Sequence, residues 1–155
     1  MPRGGRRLPD ACLSELERAD LIVHAGDFVA PSVLEELRRF APVEAVYGNM
    51  DEPALRETLP EERVVQVAGA RVGVVHIPGP VVGRETRLVA RFPRCDAVVY
   101  GHTHIPHVAR VRTESGAVWI LNPGSPTERR RGPVHSMLVL EVEDGEIRPQ
   151  LVTLS

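Results

Sequence analysis

Lysine is absent from this chain: all 19 basic residues are arginine, which excludes Schiff-base catalysis and a P-loop lysine. Aromatic residues make up only 4% of the sequence. A groove that stacks successive bases is therefore not expected, so no extended nucleic acid is foreseen, while a small nucleotide diester stays open. Cysteine is scarce: Cys12 and Cys95 have no CxxC spacing and read as two buried thiols rather than a redox pair or a disulfide scaffold. No apolar run approaches the roughly 20 residues that cross a bilayer, and the arginine-rich opening Pro2 to Arg7 is not followed by a signal-peptide core. A soluble, cytoplasmic protein without a membrane partner is the expectation. With a net charge of -2 and a pI near 6.3, the chain has no global positive field to gather polyanions. What is present is 155 residues, 43% of them hydrophobic, enough to bury the core of one domain spanning 1–155. The composition leaves a homo-oligomer open.

Along the chain, apolar runs alternate with turn residues. Asp10 to Ala19 carries Leu13 and Leu16 at helical spacing, with Asp10 as the expected N-cap. Leu21 to His24 is a short apolar run ending at Gly26-Asp27, the pattern of a buried parallel strand, and Ser32 to Phe40 reads as an amphipathic helix. Val43 to Tyr47 repeats the strand signal, ends in Gly48-Asn49-Met50-Asp51, and leads into a short helix over Pro53 to Thr58. Val64 to Val67 and Arg71 to His76 flank Ala68-Gly69-Ala70 as a hairpin. A helix over Arg84 to Phe92 precedes a strand at Ala97 to Tyr100, which runs into Gly101-His102-Thr103-His104. Val118 to Leu121 runs into Asn122-Pro123-Gly124-Ser125, and His135 to Val142 with Ile147 to Leu154 forms a closing hairpin around Asp144-Gly145. The plan is a layered α/β protein.

The chemistry lies in where the polar residues fall. Asp27, Asn49, His76, His102 and His104 each stand just past a predicted strand end, where α/β sheets bind ligands. His102 and His104 are two apart, so an extended backbone would project both imidazoles to one side. Imidazole, carboxylate and amide oxygen without thiolate suit Mn, Fe, Zn or Ni in a catalytic role. Asp27 is the natural bridge between two metals, having two carboxylate oxygens. Taken singly, Gly-Asp and Gly-Asn are ordinary turns and a lone His76 is an ordinary structural residue. The ordered set carries the argument.

That set, Gly26-Asp27, Gly48-Asn49, His76 and Gly101-His102-Thr103-His104, resembles the successive motifs of the calcineurin-like metallophosphoesterases. Asn122-Pro123-Gly124-Ser125 and the small size are similar to the compact prokaryotic phosphodiesterase branch. The resemblance implies a two-layered β-sandwich flanked by helices, with one or two divalent metal ions at the edge of the sheets, manganese first among them. It further implies that Asp27 bridges, that Asn49, His76 and His102 complete the second metal, and that His104 serves the first. The implied activity is hydrolysis of a small phosphorylated substrate by metal-activated water. Larger relatives carry a histidine directly after the asparagine; Met50 stands there instead, and a thioether donates no proton. Activated aryl esters or diesters are then the expected substrates. Asp51 is expected to cap a helix, His24 to lie in the core or behind the ligands, and His107 to sit on the rim.

At the amino terminus the pattern departs from the family, which opens on an apolar strand ending in Asp-x-His. Met1 to Pro9 is instead similar to the loop after that motif, so the first strand is expected to be missing and the first metal to keep only Asp27 and His104. A start upstream of Met1 is the favoured account of this departure. The alternative to an enzyme is a degenerate one-metal or metal-free scaffold, as in the retromer sorting subunit of this architecture. Arg129-Arg130-Arg131 would either contact phosphate or stand as a solvated basic patch.

Overall fold

Short apolar runs separated by Gly, Pro, Asn and Asp dictate short elements, and the computed structural model, which describes residues 7–154, has them in alternation. In chain order they are α1 (Asp10–Arg18), β1 (Ile22–His24), α2 (Pro31–Arg38), β2 (Val43–Ala45), α3 (Pro53–Thr58), β3 (Glu62–Val67) and β4 (Ala70–Val75). There follow α4 (Arg84–Arg91), β5 (Ala97–Tyr100), β6 (His107–Thr113), β7 (Gly116–Asn122), β8 (His135–Glu143) and β9 (Glu146–Leu154). The Met1–Arg6 part of the segment read above as a loop lies outside the described residues. Among the described residues, no helix is long and apolar enough to cross a membrane.

Helix starts follow backbone chemistry more than side-chain caps. Asp10 does not cap α1 as expected; Pro9 holds that position, its carbonyl accepting from the Leu13 N–H at 3.0 Å, and Asp10 stands in the first turn, where its charge suits the helix dipole. Proline opens both α2 and α3, because its fixed φ fits the first turn and its missing N–H would be unpaired there anyway.

A mixed sheet of five strands, in the order β3-β4-β5-β7-β6, has a parallel interior of β4, β5 and β7 with antiparallel strands at both edges. β1 and β2 pair in parallel, and β8 and β9 pair as a hairpin. One apolar cluster, including Val46, Val72, Val74, Val99, Leu121, Leu138, Leu140 and Ile147, fills the space between the five-stranded sheet and the two smaller ones. A second lies under α1, α2 and α3 with Phe28, Leu37 and Leu154, and a third under α4 with Leu88, Val98 and Ile120. The result is a layered helix, sheet, sheet, helix arrangement, the flanked two-layered β-sandwich expected above. The β8–β9 hairpin serves both inner faces, because side chains alternate along a strand: Met137 packs into the helix-side cluster and Leu138 into the one between the sheets. Cys12 and Cys95 are free, buried thiols in separate clusters.

β6 is an element that sequence reading passed over. His107-Val108-Ala109-Arg110-Val111-Arg112-Thr113 is an edge strand with alternating half-buried and exposed positions, and Arg110 lies over the Trp119 ring at 5.1 Å. Its arginines keep that edge charged.

Candidate metal centre

Strand register brings the polar strand ends together. β1 and β2 run in parallel with His24 opposite Ala45, so the Gly26-Asp27 and Gly48-Asn49 loops leave the same sheet edge. β4 and β5 pair Val75 with Tyr100, and the Gly101 N–H donates to the His76 carbonyl at 3.1 Å. The two layers meet at this corner through the His76 ring, whose Nδ1–H donates to the Ala25 carbonyl at 2.6 Å. Such close approach requires glycine. A Cβ at Gly48 would fall inside the van der Waals shell of the Asp27 carboxylate and backbone, and one at Gly101 would stand 2.9 Å from the Ala25 oxygen.

Four of the five candidate residues meet here. His76 Nε2 lies 2.8 Å from Asn49 Oδ1 and 3.3 Å from Asp27 Oδ2, and His102 Nδ1 lies 3.1 Å from the same Asn49 oxygen. The His76 and His102 rings stand edge to face at 5.2 Å. Because the Ala25 carbonyl can only accept, it holds the proton on His76 Nδ1. Nε2 then faces two oxygens that are themselves acceptors, so either a second proton on the ring or a bound cation must sit between them. The donor set of carboxylate, amide oxygen and two imidazoles fits a divalent cation. Among the described residues no three His, Cys, Asp or Glu side chains close into a metal cage by themselves; the amide of Asn49 joins the set.

Burial pushes the Asp27 carboxyl up, but the His76 hydrogen bond and charge and the Met50 N–H, 2.8 Å from Oδ1, outweigh it and bring its pKa to about 2. His102 is pushed down chiefly by burial and by the His76 charge. His24 behaves as expected of a residue behind the ligands: its Nδ1 accepts the Gly26 N–H at 3.1 Å, its ring stacks on Phe28, and burial above all lowers its pKa to about 3.

His104 is not hydrogen-bonded into this group. It is buried, its Nδ1 lies 3.0 Å from the Glu128 carbonyl, and among the described residues no hydrogen bond joins it to the other four. Burial and the Arg130 charge depress its pKa, partly offset by the Glu128 carbonyl. The i and i+2 argument fails because His102 and His104 both adopt positive φ, at 68° and 59°, so the segment is coiled rather than extended.

Asp51 was expected to cap a helix, yet it makes no cap bond at α3. Its buried carboxylate instead accepts three backbone N–H groups, from Asp27 at 3.1 Å, Val29 at 2.7 Å and Gly48 at 2.7 Å. It thereby pins the two loops and holds Asp27 and Val29 at φ of 62° and 77°, conformations that cost free energy for residues with a Cβ. Asn122, wholly buried, does similar work on the histidine loop. Its Nδ2 donates to Gly101 O at 3.2 Å and Thr103 Oγ1 at 3.0 Å, while its Oδ1 accepts the Gly124 N–H at 2.9 Å. His107, partly exposed, opens β6, with its ring 2.8 Å from the Tyr100 hydroxyl and 3.2 Å from Glu85 Oε1.

Comparison with known proteins agrees with this arrangement. The family model of the calcineurin-like phosphoesterase superfamily domain matches residues 5–145. A probable metallophosphoesterase of Methanothermobacter thermautotrophicus is 33% identical over 98% of this chain and 86% of its own length. A second, from Methanocaldococcus jannaschii, is 36% identical over 88% of this chain and 68% of its own length. Among solved structures, a Thermotoga maritima protein determined by solution NMR shares 33% identity with a TM-score of 0.71, covering 95% of this chain and 88% of that one. Vps29 of Entamoeba histolytica, solved in complex with zinc, shares the fold at 22% identity with a TM-score of 0.74, covering 99% of this chain and 93% of that one. Motif order, layer architecture and sequence likeness thus converge, and the chain belongs to the calcineurin-like phosphoesterase superfamily.

Proposed function

We propose that this chain hydrolyses a small phosphate ester with a divalent metal ion held by Asp27, Asn49, His76 and His102. The observation that carries the reading is the convergence of Asp27 Oδ2, Asn49 Oδ1 and His76 Nε2, three acceptor atoms aimed at one point. A divalent cation bound there supplies Lewis acidity, lowering the pKa of a coordinated water from 15.7 towards about 7. Manganese is the first candidate, with iron, zinc and nickel behind it.

The chain's own groups orient and hold. Met50 N–H fixes one Asp27 oxygen and turns the other towards His76, and the Ala25 carbonyl fixes the His76 tautomer. No side-chain proton donor stands at Met50, whose thioether is 41% exposed at the mouth of the site. Esters with a good leaving group, aryl esters and diesters above all, suit that chemistry.

Turnover of bis(p-nitrophenyl) phosphate by the manganese-loaded chain tests this reading against Asp27→Ala. The expected difference is about 100-fold or more; equal rates would remove the enzyme reading. His104, whose Nδ1 is taken by the Glu128 carbonyl and which among the described residues makes no hydrogen bond to the other four, would serve a weaker second site, so one firmly held metal is the reading. Elemental analysis after dialysis should then find one manganese per chain. A scaffold role would be supported by tight binding of one metal without turnover and a large melting-temperature loss on chelation.

A further inference from the structure

Next to the His102–His104 loop, residues 126–130 fold back against Arg7 and Pro9 and against His135 at the start of β8, walling an open cavity of about 720 Å³. Its charge is one-sided: Arg7, Arg129 and Arg130 present guanidinium groups against the single carboxylate of Glu128. Among the described residues no Phe, Tyr or Trp lines it, and the ring of His135 is the one aromatic group in its wall. Thr127 also lines the cavity, but its hydroxyl oxygen is closed off from solvent and, among the described residues, has no hydrogen-bond partner, so it is a cost of the loop's packing and not a contact for a ligand.

The wall is built, not incidental. Ser125 Oγ accepts the N–H groups of Thr127 and Glu128, at 3.4 and 3.0 Å, and the Gly132 N–H closes a turn on the Arg129 carbonyl at 2.6 Å. The Glu128 carbonyl at its centre is the group that fixes His104, so cavity and metal centre share a backbone. The Arg130 charge reaches both His102 and His104.

We infer that this cavity is the specificity subsite of the reaction proposed above, taking a second phosphoryl group of the molecule whose scissile phosphate lies on Asp27, Asn49, His76 and His102. The inference rests on that reading. Three guanidinium forks suit a phosphate dianion, which accepts bidentate bonds and carries more charge than a carboxylate. Selection would run by charge, favouring compact bisphosphorylated substrates over monophosphates.

Isothermal titration calorimetry on the manganese-loaded chain tests it with propane-1,3-diol bisphosphate and propyl phosphate. The expected ratio of their dissociation constants is about tenfold or more in favour of the bisphosphate, the share of one charge-assisted bond. Arg129→Gln/Arg130→Gln should collapse that ratio towards one, while Thr127→Val, whose hydroxyl is closed off from the cavity, should leave it unchanged. Because both arginines are exposed, an unchanged melting temperature will certify the fold of the double variant. Equal affinities in the unmodified chain, or a ratio that survives the double substitution, would overturn the inference. Hydrolysis of bis(p-nitrophenyl) phosphate by the same samples separates the two readings: a tenfold ratio without turnover keeps the subsite and removes the enzyme, while turnover without a ratio does the reverse.

Discussion

The two lips of the site are built on opposite rules. On one, the loops after β1, β2 and β5 are saturated: Asp51 accepts three N–H groups, Asn122 bridges Gly101 to Gly124, and glycines let backbone touch backbone. On the other, the 125–132 loop leaves the Thr127 hydroxyl unpaired and its arginines in solvent. A saturated lip holds ligand atoms at fixed distances and cannot adapt. An unsaturated lip costs stability, and its exposed arginines can turn to suit what binds. The lesson is that fixed chemistry and variable specificity need opposite treatment of the same polar groups.

The sharpest way to break the contrast is Asp51→Ala. It strands three backbone donors and should cost about 3 to 5 kcal/mol, lowering the melting temperature by about 10 °C and weakening manganese binding measured by titration. Gly48→Ala should follow at about 1 to 3 kcal/mol, since its methyl group must displace Asp27, and a loss of metal affinity should accompany it. The third test uses pH. The His24 pKa is depressed in the folded chain to about 3 from an ordinary 6.5, so the unfolded chain binds the extra proton first. That contribution to stability is complete above pH 6.5 and is lost as pH falls towards about 3. Thermal melts across this window should show the decline, and His24→Asn, which keeps an acceptor for the Gly26 N–H, should flatten it. Smallest of all, Thr127→Val should raise stability by up to about 1 kcal/mol, because it removes a buried hydroxyl that has no partner among the described residues. A large loss there would show that the second lip is saturated after all.

Legibility in the sequence followed the range of the interaction. Asp27, Asn49, His76 and His102 were readable because each follows an apolar strand, and parallel register carries strand ends to one edge. Asp51 was not, since the N–H groups of Asp27 and Val29 that it serves lie 24 and 22 residues away and nothing local distinguishes it from a helix cap. β6 escaped because alternating Val and Arg on an edge strand has no apolar run to read. The spacing of His102 and His104 misled for a different reason: positive φ at both positions removed the extended backbone that the inference assumed.

The helix-side core has a consequence for how this chain is made. Leu8, Cys12 and Leu16 from its beginning share one cluster with Leu154 from the far side of β9. During vectorial synthesis that cluster lacks part of its lining until the last strand has cleared the ribosome, so the early helices must wait with apolar faces uncovered. The Gly26-Asp27 and Gly48-Asn49 loops, which follow β1 and β2 of that core, are therefore expected to take shape late.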